Sequence, residues 1–262
     1  MLDRAALVKR KLDAVITQMC QVSWMFSKQP EKDFSRTKKM PFAKVLSFLL
    51  AMEGGTLTSE LLKYFGCSAE TASASAFVQQ RSKLAPEALP ALFDLFVQKS
   101  QPMQLYKGFR LLAADGSDIL IPSNPEHIAS HYPGTNGQSP YNILHLDAVY
   151  DLLQHTYQDA SVVGDRETNE RAALCRMVDR SDIEKAILMA DRGYEGFNLM
   201  AHIQEKNWMY LIRIKDVEKF NGITAGLALP NTDEFDVLID LSLTTKQTNE
   251  VKELRKYKGT AD

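Results

Sequence analysis

The sequence predicts an α/β protein, with a helical front followed by a mixed sheet in the order β-β-β-α-β-α-β. Three observations point there. Over the first hundred residues, apolar side chains recur every three or four positions, the spacing of one helix face. Near Gln101-Pro102 that spacing gives way to short apolar runs bounded by turn residues, the pattern of strands. One of those runs, Ala186-Ile-Leu-Met-Ala, is continuous and flanked by helical stretches, which suits a buried parallel strand.

Leu12, Val15, Ile16, Met19 and Val22 mark the first helix. Pro41 opens a second, from Phe42 to Met52, and Gly54-Gly55 ends it. Leu61, Leu62 and Phe65 form the stripe of a third, closed by Gly66. Ser68 is the expected N-cap of the next, where Ala72, Ala74 and Ala76 lead to Phe77 and Val78. Two short helices joined by a tight Gly-containing turn resemble a helix-turn-helix. A further helix runs from about Pro90 to Gln98. In the sheet region, residues 108–114 and 117–122 flank Asp115-Gly116 as the arms of a hairpin would. Residues 122–140 are loop by composition. Residues 142–164 hold two more strands with a turn near Asp151–Gln154, and 168–180 form a charged amphipathic helix. The strand ending at Asp191-Arg192-Gly193-Tyr194 leads to a helix, Phe197 to Lys206, and another strand, 208–214. Beyond 216 the segment Phe235 to Leu241 is a strand candidate.

Composition bounds the class. Hydrophobic residues at 45% and charged residues at 24% are globular values, not those of a disordered chain. Lys and Arg total 31 against 33 Asp and Glu, so the chain lacks the overall basic balance of a small nucleic-acid binder. Local segregation of charge stays open. Cys20, Cys67 and Cys175 form no C-x-x-C pair and read as small buried hydrophobes in a reducing compartment. The first residues mix charges with apolar positions, unlike a signal peptide, and no run of about 18 apolar residues exists to span a membrane. A cytoplasmic protein is expected. No histidine pair has zinc-site spacing, and His127 and His131 are expected to be exposed. Gly134-x-x-Gly137 follows no strand and lacks a following Lys, so it is no phosphate cradle.

Two carboxylates stand out. Asp115 and Asp191 each follow an apolar run, and each has a glycine within two residues. Either could be a turn residue or a helix N-cap. In an open α/β sheet, however, function gathers outside the carboxyl ends of the strands. If the two strands are neighbours, the carboxylates converge there. Like charges a few ångströms apart persist mainly around a cation, and oxygen-only ligands favour Mg²⁺ or Mn²⁺. Two such ions about 3.5–4 Å apart suit in-line phosphoryl transfer.

At these residues the chain resembles a known family. Ala114-Asp115-Gly116-Ser117, Met189-Ala-Asp-Arg-Gly-Tyr-Glu-Gly196 and the upstream Ser73–Leu84 stretch are similar to DDE transposases of bacterial insertion sequences, in the group called "IS four". The resemblance runs from about residue 35 to the end. It implies a ribonuclease H-like catalytic domain in which Asp, Asp and Glu bind two Mg²⁺ or Mn²⁺ ions. Such enzymes cut element ends and join 3′-hydroxyls to target DNA. Asp115 and Asp191 match the two aspartates as catalytic and metal-binding residues. The family's Glu lies on a late helix in a Tyr-x2-Arg-x3-Glu-x6-Lys signature, which this chain lacks. Tyr210 and Arg213 begin it, but position 217 is Val and Glu218 falls one residue late. Asp118, Glu184 and Glu195 do not fit that place either. The expectation is therefore a C-terminally truncated transposase of three parts. Residues 1–100 are a helical, helix-turn-helix-like DNA-binding region, 101–215 an incomplete catalytic core, and 216–262 the start of a β-rich insertion.

Double-stranded DNA, at element ends and target, is the implied partner, with a homodimer in a synaptic complex. Lys38, Lys39 and Lys44, from a basic stretch that begins at Lys28, together with Arg81 and Lys83, are candidates for gripping phosphates. Arg192 and Tyr194, flanking Asp191, are candidates beside the metals. Two other readings compete: a non-catalytic DNA-binding regulator of transposition, and another Mg²⁺-dependent nuclease. A dehalogenase-type phosphatase needs D-x-D after its first strand, and here the spacing is Asp115-x-x-Asp118.

Overall fold

The computed structural model describes residues 4–35, 39–100, 104–134, 137–164 and 169–215, with positions 223, 230, 232 and 234–238. The chain divides into two compact units, Met1–Gln101 and Pro102–Asp262.

The first unit is helical: α1 (Arg4–Gln21), α2 (Phe42–Ala51), α3 (Leu57–Tyr64), α4 (Ala74–Arg81) and α5 (Ala88–Lys99). The α1 stripe Val15, Ile16 and Met19 packs with Phe42 and Leu46 of α2 and Leu92 of α5. The other side of α2, Val45 and Phe48, packs with Met40, Leu61, Ala72 and Phe77. One helix thus serves two apolar clusters, which accounts for its density of Phe and Leu.

The link between α3 and α4 is longer than the tight turn expected. Gly66 (φ 61°) and Cys67 (φ 54°) both adopt the left-handed conformation, and the Cys67 N–H donates to the Leu62 carbonyl at 2.8 Å. This wraps the end of α3 in the manner of a left-handed C-cap. Ser68 consequently caps nothing; its carbonyl receives the Thr71 N–H. The N-cap of α4 is Ser73, whose hydroxyl accepts the Ala76 N–H at 3.2 Å. Cys67 is exposed, against the expectation of a buried thiol, whereas Cys175 is buried.

A buried charge holds the α2–α3 connection. Glu60, only 6% exposed, accepts the N–H groups of Glu53 (3.1 Å) and Gly55 (2.7 Å). Glu60→Ala leaves both donors without that acceptor. The expected cost is about 1–3 kcal/mol, read as a lower urea midpoint at unchanged slope.

The second unit is built on one mixed sheet: β1 (Arg110–Ile121), β2 (His131–Tyr132), β3 (Tyr141–Asp151), β4 (Thr156–Val163), β5 (Ala186–Ala190) and β6 (Met209–Ile212). Helix α6 (Glu170–Arg180) precedes β5, and α7 (Phe197–Glu205) precedes β6. The strand order is β2-β3-β1-β5-β6, with β4 also on β3. Strands β4, β3 and β1 are antiparallel; β1, β5 and β6 are parallel. The α/β class expected from the sequence is therefore the one observed. Leu112, Ala114, Ala186 and Leu188 from the strands form the core with Leu174 and Val178 of α6 and Leu199 and Ile203 of α7.

The hairpin at Asp115-Gly116 does not form. Residues 110–121 are one strand, paired with β3 from Leu112↔Asp151 to Ile121↔Asn142. Asp-Gly is a turn signal only where the flanking runs can pair with each other. Here β3 pairs with β1 from Leu112 to Ile121, on both sides of Asp115-Gly116, and the strand runs straight through. Phe235–Leu238, the described part of the late strand candidate, carry no strand assignment, and residues 239–241 lie outside the described residues. Among the described residues no helix is long and apolar enough to cross a membrane.

Candidate carboxylate site at the sheet end

The parallel ladder between β1 and β5 runs from Arg110↔Ala186 to Ala114↔Ala190. Asp115 and Asp191 are the next residue on each strand. The structure thus brings the two sequence-predicted aspartates to adjacent positions, where the parallel pairing stops. Strand β1 continues along β3, while β5 breaks into a 3-10 turn, Arg192–Tyr194. Asp191 caps that turn, its carboxylate accepting the Gly193 N–H. Asp115 accepts the Gly116 N–H at 3.0 Å. Both aspartates are exposed. Asp191 is therefore an N-cap and a solvent-facing carboxylate at once.

More acidic groups surround the pair. The β1–β3 register sets Gly116 opposite Asp147 and Asp118 opposite His145. His145 lies 2.8 Å from Asp118 through Nδ1. Its Nε2 lies 3.3 Å from Asp147 and 3.7 Å from Glu170, the first residue of α6. Burial works against protonation of His145, but the bond to Asp118 and the charge of Asp147 outweigh it, and its pKa stands above the ordinary histidine value. The imidazole lies within reach of three carboxylates, which favour its protonated form. Tyr194 is 3% exposed and part of the sheet core. Burial, and then the charges of Glu170, Asp147, Asp115 and Asp191, push its hydroxyl pKa well up. The phenol stays neutral.

The oxygen-only chemistry of Asp115 and Asp191 fits Mg²⁺ or Mn²⁺. Among the described residues no group of three His, Cys, Asp or Glu encloses an ion as the side chains stand.

The other predicted residues separate. Lys38 lies outside the described residues. In the helical unit, Lys39 donates to the Ala69 carbonyl at 2.7 Å, and Lys44 lies over the Phe65 ring at 5.0 Å. Arg81 lies over Phe77 at 5.8 Å, and Lys83 donates to Gln80 at 3.4 Å. In the sheet unit Arg192 is exposed, whereas Tyr194 is buried and presents no ring face for a phosphate. Glu195 is buried too; its carboxylate accepts N–H groups of Lys215 and Ile223, a structural task. His131 is half-buried against Asn142 rather than exposed. Sequence reasoning missed His145, Asp147 and Glu170. The alternation His145-x-Asp147 on an apolar strand was a signal, but only the β1–β3 register shows which residues it faces.

Residues 106–258, more than half of the chain, match the family described as transposase DDE domain. No curated protein matches the chain. Among solved structures it is similar to a piggyBac transposase synaptic complex with hairpin DNA, with a TM-score of 0.39 and 11% sequence identity over 79% of this chain. It spans 49%, about half the length, of that protein. The family match takes in every strand of the sheet and both aspartates, and the chain belongs to the transposase DDE domain family.

Proposed function

We propose that this chain is the catalytic part of a DNA transposase of the insertion-sequence type, in the "IS four" group of bacterial elements. In this reading Asp115 and Asp191 hold Mg²⁺ or Mn²⁺ for phosphoryl transfer. The observation that supports it is the adjacency of the two aspartates at the end of the β1–β5 ladder, inside the family-matched segment. A bound divalent pair supplies Lewis-acid activation of the scissile phosphate and of the attacking water or 3′-hydroxyl. The chain's own residues do the rest. Asp115 and Asp191 present carboxylate oxygens from neighbouring strands that would hold the cations, and His145 lies against the acidic groups beside them. Arg192, exposed next to Asp191, is placed to meet a backbone phosphate. Tyr194 acts from below, as a buried wall of the site. Lys38, Lys39, Lys44, Arg81 and Lys83 are the DNA-gripping residues of the helical unit. The partner is double-stranded DNA, bound by a homodimer in a synaptic complex in the bacterial cytoplasm.

The test is nicking of supercoiled plasmid with Mn²⁺ by the full chain and by Asp115→Asn and Asp191→Asn. Wild type should nick only with the divalent ion. Each variant should lose about 10³-fold or more in rate while DNA affinity, set by phosphate contacts, stays within about threefold. Nicking that survives both substitutions overturns the assignment. Tight DNA binding without nicking by the wild type would favour a non-catalytic regulator.

A further inference from the structure

The turn that carries Asp191 is bracketed by the chain that leaves β6. Before it, the Arg213 N–H donates to the carbonyl of Ala190, the last residue of β5, at 3.1 Å. After it, the Lys215 N–H donates to Glu195 Oε2 at 2.8 Å. Residues 191–194 lie between those two bonds, and one stretch, 213–215, supplies both donors. Glu195 Oε1 takes a further N–H, from Ile223. Both oxygens of one side chain thus hold backbone that lies past the sheet.

Helix α6 holds the same residue from its other side. The Arg171 guanidinium donates through Nη1 to the Glu195 carbonyl at 3.1 Å. Gly196 leaves the room for it: a Cβ there would lie 3.1 Å from Arg171 Nη1 and 3.5 Å from its Cδ. The Gly196 φ of 178° is extended backbone, so space and not conformation accounts for this glycine. A carboxylate only 4% exposed is costly to bury unless its oxygens are hydrogen-bonded. An apolar side chain at 195 would leave the Lys215 and Ile223 donors without this acceptor. Within the turn, the Asp191 carboxylate accepts the Gly193 N–H, and the Glu195 N–H closes on the Arg192 carbonyl. Glu195 therefore joins the end of the Asp191 turn, the first turn of α6 and the exit of β6.

We propose that Glu195 is a positioning residue for Asp191. By clasping the chain at 215 and 223, it fixes the turn that presents the Asp191 carboxylate at the end of the β1–β5 ladder. It acts through that turn and not on the reacting atoms. This rests on the reading of Asp191 as a metal ligand.

Native-state hydrogen exchange of the full chain reads the clasp without metal or DNA. The Gly193 and Lys215 amides report on the turn and the clasp. The Arg110 amide, which donates to the Lys185 carbonyl at 3.0 Å at the far end of the ladder, is the internal control. Glu195→Ala should speed exchange at Gly193 and Lys215 by about tenfold or more, the loss of a hydrogen bond to a charged acceptor, with Arg110 unchanged. Glu195→Gln offers one acceptor oxygen in place of two and should fall between. Arg171→Met keeps its stem over Gly196 but lacks the donor, and should speed Gly193 as well. Mn²⁺ titration, followed by the electron paramagnetic resonance signal of free Mn²⁺, then reads the consequence. Binding should be about 10–100-fold weaker in Glu195→Ala and partly restored in Glu195→Gln. Equal acceleration at Arg110 and Gly193 in both Glu195 variants would show general loosening and overturn the inference. Faster exchange at Lys215 with Gly193 and Mn²⁺ binding unchanged would overturn it too, and leave the parent reading standing. Mn²⁺ binding unchanged in Asp191→Asn overturns the parent reading, and the inference with it.

Discussion

Asp151→Ala is expected to lower the stability of the sheet unit by about 3–5 kcal/mol. Asp151 ends β3 and is 1% exposed. Its Oδ2 accepts the Arg110 Nε–H at 2.7 Å. The Arg110 Nη2 is also 2.7 Å from that oxygen but aligns no hydrogen bond to it, so the contact there is ionic. Its Oδ1 accepts the N–H groups of Leu153 (3.0 Å) and Gln154 (2.9 Å), which shapes the turn into β4. Alanine strands a guanidinium of which only 11% is exposed, together with two turn donors. The cost lies in what is left behind more than in what is lost. Replacing both partners, as in Arg110→Met with Asp151→Leu, should recover a good part of it, because a packed apolar pair carries no desolvation debt. Asp151→Asn should fall between, since it keeps an acceptor for the turn. Arg110 also starts the β1–β5 ladder that ends at the aspartates, so the pair sits at the root of the register on which the site depends. Urea denaturation of the four proteins decides it. A loss below about 1 kcal/mol for Asp151→Ala would show that the pair does not hold the sheet.

The elements that were legible in the sequence are those specified by local pattern. Ala186–Ala190 is a strand because five apolar residues in a row between two polar stretches have few other places to go. Helices α2 and α5 follow from their apolar spacing, with Pro41 fixing the start of α2. The misread places are those where a distant partner decides. Asp115-Gly116 has the chemistry of a turn, but β3 pairs with β1 on both sides of it and keeps it extended. Ser68 has the chemistry of a cap, but the left-handed Gly66 and Cys67 carry the chain on to Ser73 before a helix can start. The two aspartates were legible because each sits at the end of a recognisable run. Glu170, His145 and Asp147 were not, because their proximity is created by strand register and by where α6 begins, neither of which is written in the neighbouring residues.

The same contrast between local pattern and tertiary contact makes Phe77→Ala the largest expected loss in the helical unit, about 3–5 kcal/mol. Helix α4 is a poor amphipath, Ala-Ser-Ala-Phe-Val-Gln-Gln-Arg, with Val78 42% exposed. Phe77 is its one fully buried apolar side chain. Its ring meets Phe48 edge-on at 4.7 Å, and Phe48 in turn meets Tyr64 at 5.3 Å. Such pairs add about 0.5–1.5 kcal/mol each beyond the area they bury. Eight residues of weak pattern hold no helix alone, so α4 exists because this ring docks it. Alanine leaves a cavity beside Phe48 and removes the surface under Arg81. Phe77→Leu keeps most of the apolar volume and should cost much less. Arg81→Ala removes only an exposed cation over a ring, worth about 0.5–1 kcal/mol. Thermal or urea melts of the three variants separate the contributions. If Phe77→Ala costs no more than Arg81→Ala, then α4 is held by its caps and not by the cluster. If it costs several times more, the placement of Arg81, and any grip it has on a phosphate, depends on one aromatic residue beneath it.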